Sequence, residues 1–223
     1  GLGDVYKRQI LNEGGYQMSS IMEALQLAEE QAQLINLYQA NSDVVYTGYI
    51  DSLAPDGVVV NTYDDAGLQD GAVFMRYQVI DEVETMSEDL DNMAFRIENA
   101  DTEGLSTVPQ LPVSFNAEHD ELSQILANAL TQKQVILLVV ANNDNYLEGQ
   151  VQGLAEQKFD FKSFDKFNYA HQKTQAIRYD SVNIIEFRGN ELLLESAFVK
   201  TNYQHVDSVK ATGAHAINDT LVN

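Results

Sequence analysis

The chain has 223 residues, a formal net charge of −21 and a sequence pI near 4.2. It contains no cysteine, which excludes disulfides, thiolate metal ligands and cysteine nucleophiles together. So acidic a chain is poorly suited to nucleic acid, because binding of a polyanion draws on phosphate neutralisation by Lys and Arg. No apolar run approaches the roughly 20 residues that a membrane helix needs, so we expect a cytoplasmic protein without a membrane partner.

The first seventeen residues have the features of a leader rather than of a folded protein. Residues 4–9 resemble the in-frame translation of a transposon end used to prepare sequencing libraries. Glu13-Gly14-Gly15 can be encoded by a purine-rich ribosome-binding sequence, at a workable distance before Met18. We therefore predict that residues 1–17 are a non-native leader and that the native chain begins at Met18. A genuine N-terminal tail is the alternative.

The rest of the chain contains an internal repeat of about one hundred residues. Shifting the sequence against itself by this length superposes matching residues over much of each half. After one extra residue in the second copy, Arg76-Tyr77 meets Arg178-Tyr179. A long ungapped agreement in one register is hard to obtain by chance, so we infer a duplication. The matched residues include Leu25, Gln31, Ile35, Leu37, Gly48 and Leu53, which meet Leu126, Gln132, Ile136, Leu138, Gly149 and Leu154.

Each copy has the pattern of one helix followed by five strands. In the first copy, Ser19-Ser20 can cap a helix with apolar residues at helical spacing, and Ser87 can cap a second short helix that ends near Ile97. In the second copy, Asp120 is the expected cap. The predicted strands are 34–38, 46–53, 58–60, 72–77 and a short one ending near residue 84, then 135–140, 146–154, 159–161, 174–179 and 182–186. These patterns divide the chain into a first unit (18–98), a linker (99–117), a second unit (118–196) and a polar tail (197–223).

This order of elements resembles that of Sm-like proteins, and of the bacterial Hfq branch in particular. Residues 125–130 and 135–140, with Asn142-Asn143, resemble the helix and first conserved motif of that family. Met75-Arg76-Tyr77 and Ile177-Arg178-Tyr179 resemble its second motif. The resemblance covers most of each unit. It implies a mainly β fold with short helices, built as two tandem Sm-like units that each combine an N-terminal helix with a five-strand small barrel.

The resemblance also implies an RNA site in an altered form. The Lys-His pair of the Hfq-type second motif becomes Arg76-Tyr77 and Arg178-Tyr179, which keeps a cation and an aromatic ring. Such a pair could hold an RNA base by stacking and a phosphate by its charge. The alternative is structural: Arg bridges strand ends and Tyr packs at the barrel rim.

Two further features of the family bear on its expected partners. Its members stack a base on a side chain after the second strand, where this chain has Asp56 and Gln157, neither of which can stack. Members usually assemble into rings of six or seven barrels by pairing edge strands. Three chains of two units would supply six barrels, so the resemblance implies a homo-oligomer. A closed two-barrel monomer or a dimer would protect the edges equally well.

The strongest nucleic-acid pattern lies in the third strand of the second unit. Phenylalanines at 159, 161, 164 and 167 interleave with Lys158, Lys162 and Lys166, so stacking groups and cations alternate. Alternation equally places the phenylalanines on one face, where they would form core. We predict RNA contacts at Arg178, Tyr179, Lys158, Lys162, Lys166, Arg76 and Tyr77.

The sequence indicates a protein that is not an enzyme and has no cofactor. It has no Gly-rich phosphate loop, nucleophile elbow or paired-His metal motif, and its four histidines lack ligand spacing. Two functions therefore remain open. The first is an Sm-like regulator that binds single-stranded RNA mainly through its second unit. The second is an acidic protein-interaction or scaffold module that keeps the barrel without RNA binding, with a basic protein as one partner.

Overall fold

The computed structural model describes residues 14–100, 102, 105, 120–141, 146–165 and 167–202. This part of the chain is a mainly antiparallel β-protein with four helices. The helices are α1 (Gly14–Glu30), α2 (Glu88–Asn99), α3 (Glu121–Gln132) and α4 (190–202). The strands are β1 (Leu34–Gln39), β2 (Val45–Leu53), β3 (Gly57–Tyr63), β4 (Gln69–Arg76), β5 (Ile80–Glu84), β6 (Val135–Val140), β7 (Tyr146–Leu154), β8 (Lys158–Asp165), β9 (Asn168–Arg178) and β10 (Val182–Phe187).

The helix ends follow from local capping. The Ser87 side chain accepts a hydrogen bond from the backbone N–H of Leu90, and the Asp120 side chain accepts one from that of Ser123. These two predicted caps are therefore confirmed, and each satisfies a donor that the first helical turn leaves free. The predicted cap at Ser19-Ser20 is wrong, because α1 begins at Gly14 and both serines lie inside the helix. α3 ends where Lys133 adopts a left-handed conformation (φ 53°) and turns the chain into β6.

All ten strands belong to one continuous sheet, in the order β5-β1-β2-β3-β4-β10-β6-β7-β8-β9. Each half repeats one scheme, in which the fifth strand pairs with the first and the other three follow in sequence. Within the described strands no ladder joins β4 to β5. Instead β4 pairs antiparallel with β10, the last strand of the other half. One edge strand of each half is thus covered by the other half, β4 by β10 and β10 by β4.

A glycine in the second strand of each copy permits two backbones to approach closely. A Cβ at Gly48 would lie 2.0 Å from the backbone oxygen of Asn61, and one at Gly149 would lie 2.1 Å from that of Lys162. No side chain fits at these distances, which explains why both copies have glycine here.

The hydrophobic core is shared between the halves. The first cluster combines side chains of α3 and β6–β10 with Ala72 and Phe74 from β4. The second combines α1 and β1–β5 with Ile184 from β10. Phe74 and Ile184 are completely buried. The two halves therefore form one packed body, because each contributes core to the other across the β4–β10 pair.

The helices at the two ends of the described chain extend beyond the predicted unit boundaries. α1 begins at Gly14, inside the segment predicted as a leader, and α4 continues to residue 202, six residues into the predicted polar tail. Most of the predicted linker 99–117 lies outside the described residues, as does the tail beyond residue 202.

Candidate functional site

The candidate site is the junction between the halves, together with the two strands at the ends of the sheet. At the junction four residues of β4 pair in register with four of β10. All of them are buried except Glu186, which is partly buried. The pairs are Ala72 with Phe187, Val73 with Glu186, Phe74 with Ile185, and Met75 with Ile184.

Arg76 fastens this junction at the end of β4. Its Nε donates a hydrogen bond to the carbonyl oxygen of Val182 at 2.6 Å, and its Nη2 donates one to that of Tyr179 at 2.9 Å. Its Nη1 forms an ion pair with Asp56, and only 13% of its side chain is exposed. All three groups of the guanidinium are thus used within the chain, and the fork geometry of arginine allows it to hold two carbonyls at once.

Tyr77 is also used inside the chain. Its hydroxyl donates a hydrogen bond to the carbonyl oxygen of Ala54 at 2.7 Å, and its ring is 8% exposed. Burial, with a contribution from the nearby Asp56 carboxylate, raises the pKa of Tyr77 to about 12, so the hydroxyl stays protonated. Arg76 and Tyr77 therefore have the arrangement that the structural interpretation describes, with the cation bridging strand ends and the ring packed at the rim.

The corresponding pair in the second unit is open to solvent. Arg178 Nε and Nη2 donate hydrogen bonds to the two carboxylate oxygens of Asp180, at 2.9 and 2.5 Å, and both side chains are about two-thirds exposed (68% and 65%). These hydrogen bonds lower the pKa of the Asp180 carboxyl. The ring of Tyr179 is half-buried against Phe159, with centroids 5.6 Å apart. Of the two motif copies, only this one leaves a cation accessible.

The structure brings some of the predicted lysines to this open cation. Lys158 is exposed and lies directly opposite Arg178 in the β8–β9 ladder. Lys162 is partly buried and lies opposite Thr174. It is four residues, or about 13 Å, further along the strand than Lys158. Lys166 lies outside the described residues. The candidate cations thus form a short row rather than one cluster.

The phenylalanines of the same strand face the interior. Phe159 and Phe161 are 1% and 0% exposed, and Phe164 is also buried. They form part of the core, as the alternative interpretation of the alternating pattern expects, and they are not available to stack on a base. Phe167, beyond the strand end, is exposed.

The sequence did not identify an acidic cavity beside the junction. Its volume is about 250 Å³, and no Lys, Arg or His lines it. Tyr46 donates its hydroxyl to Glu186 Oε1 across the junction at 2.7 Å. Burial raises the pKa of Glu186, the Tyr46 hydrogen bond lowers it, and the charge of Asp70 raises it. The repeat gave one sequence signal for this contact, because the residue of the second copy that is equivalent to Tyr46 is Leu147, so the two copies differ at this position. The carboxylates that line the cavity are Asp70, Glu148, Glu186 and Glu191.

The two ends of the sheet carry opposite charges. β5 contains Asp81, Glu82 and Glu84 and no cation, whereas β9 contains Lys173 and Arg178 and no carboxylate. β5 pairs only with β1, and β9 only with β8, among the described strands. Each end therefore presents one edge on which a further strand could pair.

Comparison with protein-family models, with curated proteins and with solved structures finds no match for this chain. The resemblance to Sm-like proteins thus stays an expectation from the sequence motifs. Among the described residues, none of the helices is long and apolar enough to cross a membrane, and no group of three or more His, Asp or Glu side chains could hold a metal ion.

Proposed function

We propose that this protein is a non-enzymatic, acidic scaffold module of Sm-like build that assembles with further copies of itself through the free edges of β5 and β9. The observation that carries the proposal is the strand order of the sheet. The chain already joins a fourth strand, β4, to a fifth strand, β10, and it leaves the other fourth strand, β9, and the other fifth strand, β5, at the two ends.

The register of the internal β4–β10 junction predicts the register of the proposed β5–β9 junction. Each residue of the β4–β10 pairs has an equivalent in the other copy of the repeat, and these equivalents are the partners that β5 of one copy would have on β9 of the next. They are Glu82 with Ile177, Val83 with Ala176, Glu84 with Gln175, and Thr85 with Thr174. Backbone hydrogen bonds between these strands would satisfy groups that the single chain leaves at its edges.

Charge favours pairing of β5 of one copy with β9 of the next over pairing of two β5 edges. Two β5 edges would bring six carboxylates together, whereas β5 against β9 brings the three carboxylates of β5 to a strand whose charged residues are Lys173 and Arg178. Like charges directly opposite each other on neighbouring strands are destabilising, and opposite charges are favourable. The net charge of −21 opposes close association at low salt, so we expect assembly to strengthen as salt screens the overall repulsion.

The first test is a register-specific cross-link. Because the chain has no cysteine, Val83→Cys and Ala176→Cys introduce the only two thiols. Directly opposed residues have Cβ atoms about 4.5–5.5 Å apart, close to the spacing a disulfide needs. We expect mild oxidation to link chains into dimers and larger species on a non-reducing gel.

The matched control moves one thiol along the same strand. Val83→Cys with Gln172→Cys places it four residues, or about 13 Å, out of register, which is too far for a disulfide. Equal cross-linking of both variants, or a monomer at all salt concentrations and at micromolar protein in light scattering, would contradict the proposal.

RNA binding is a second candidate function, because Lys158 on β8 and Arg178 on β9 lie directly opposite each other and both are exposed. The test is fluorescence anisotropy of labelled U-rich and A-rich single strands at two salt concentrations. Salt-sensitive binding tighter than about 10⁻⁶ M would exceed ordinary non-specific association and would support the regulator. Absence of binding at low salt would exclude the RNA candidate, and only the scaffold proposal would remain.

A further inference from the structure

The internal junction shows how an arginine at the end of a fourth strand can hold a fifth strand. Arg76 donates from Nε to the carbonyl oxygen of Val182, where β10 begins, and from Nη2 to that of Tyr179, in the preceding 3₁₀ turn (Tyr179–Ser181). Both acceptors are backbone atoms, so the contact depends on the position of the strand rather than on its side chains.

The repeat gives this arginine a counterpart at the open edge. Arg178 ends β9 as Arg76 ends β4, and each is followed by a tyrosine and a 3₁₀ turn. The equivalents of Tyr179 and Val182 are Tyr77 and Ile80. We propose that Arg178 is the residue that fastens one copy to the next, by donating from Nε and Nη2 to the carbonyl oxygens of Ile80 and Tyr77 of the neighbouring copy. This inference rests on the proposed assembly through β5 and β9.

In the single chain the same two donor groups are engaged by Asp180. Arg178 Nε and Nη2 donate to its carboxylate oxygens. The first unit has Gln78 at the position of Asp180, and its arginine uses Nη1 for Asp56 while Nε and Nη2 hold the carbonyls. Asp180 therefore competes with the neighbouring copy for Arg178, and its removal should favour assembly.

The test compares variants of the full chain by the dissociation constant of assembly, measured by analytical ultracentrifugation. Arg178→Lys keeps the charge but cannot donate to two carbonyls in a fixed fork, so we expect dissociation constants raised about tenfold or more. Asp180→Asn should lower the constant. Its control, Asp160→Asn, removes the same charge from an exposed position of β8 opposite Ala176, and should change the constant less.

Each outcome separates this inference from the proposal on which it depends. Arg178 is exposed, so Arg178→Lys should melt like the unchanged protein, and a loss of assembly cannot then be ascribed to unfolding. If the unchanged protein stays monomeric, both proposals fail. If it assembles and Arg178→Lys assembles equally well, or Asp180→Asn acts no differently from Asp160→Asn, only the role of Arg178 is overturned. An Arg178→Lys variant that loses RNA binding but assembles normally would likewise assign the residue to RNA.

Discussion

The closed junction between the halves and the two open edges are built from equivalent positions of one repeat, yet they differ in chemistry. At the junction the paired residues are Ala72 to Met75 against Ile184 to Phe187, and nearly all are fully buried. The equivalent open positions are Thr174 to Ile177 and Glu82 to Thr85, which are mostly polar and solvent-exposed or half-buried. Under the proposed assembly, the difference would make the junction a permanent contact and the open edges a reversible one, because apolar burial stabilises an obligate interface.

The repeated glutamate shows the same divergence at one position. Glu84 accepts hydrogen bonds from Asn36 Nδ2 at 2.8 Å and from the Tyr38 hydroxyl at 3.1 Å, both within its own half. Its counterpart Glu186 accepts from Tyr46 of the other half. The first glutamate is therefore satisfied before any assembly, whereas the second needs the junction.

The largest expected effect tests whether the junction is core. Phe74→Ala removes a fully buried ring that packs within the core of the other half. We expect the free energy of unfolding to fall by about 3–5 kcal/mol, as for other buried phenylalanines. Urea denaturation followed by circular dichroism measures this loss, and both halves should unfold in a single transition because their cores are shared.

The control for that change is Phe95→Ala on α2, where the ring is 66% exposed. We expect a change within about 0.5 kcal/mol. A second, separate transition in the Phe74→Ala variant would show that the halves fold independently, and the contrast between a core junction and open edges would then be lost.

The next effect compares the two arginines. Arg76→Gln leaves two carbonyl oxygens and Asp56 without their cation, and we expect a loss of about 2–3 kcal/mol in the free energy of unfolding. Arg178→Gln removes only an exposed ion pair, so the free energy of unfolding of the monomer should change little. Thermal and urea unfolding at low protein concentration give both values. Equal losses would mean that Arg178 already has a structural role in the single chain.

Much of the fold could be predicted because it depends on local patterns. The caps Ser87 and Asp120 and the strand positions follow from residue type and from period, and they occur where expected. The close backbone approach at Gly48 also has a local cause, since glycine inside a strand permits it.

The pairing of β4 with β10 did not follow from the sequence, because it joins residues more than one hundred positions apart. The motif around Arg76-Tyr77 has the same residue types as Arg178-Tyr179, so the sequence left the RNA and the structural interpretation open for both pairs. Their environments differ because one copy lies at the internal junction and the other at an edge. Asp56, noted only as unable to stack, pairs with Arg76, and this contact depends on the fold.

The smallest expected effect concerns the pH dependence of the junction. Burial raises the pKa of Glu186, so the folded state holds its proton more tightly than the unfolded chain does. The stabilisation is therefore complete below the ordinary glutamate pKa and is lost as pH rises through the raised value. Glu186→Gln is neutral throughout, so we expect the unchanged protein to lose stability relative to this variant as pH rises from the ordinary glutamate pKa through the raised one, as measured by urea denaturation at each pH.

Tyr46→Phe sharpens this last comparison because it removes the hydroxyl that lowers the pKa of Glu186. The pKa of Glu186 should rise further, so the loss of stability should begin at the same pH but extend to a higher one. At neutral pH we also expect a cost of about 1–2 kcal/mol, since a buried carboxylate oxygen loses its donor. Asp70, Glu148, Glu191 and Tyr146 face the same region and are unchanged in all three proteins. Identical pH profiles for the unchanged protein and Glu186→Gln would show that the glutamate is solvated, and the junction would then resemble the open edges at this position.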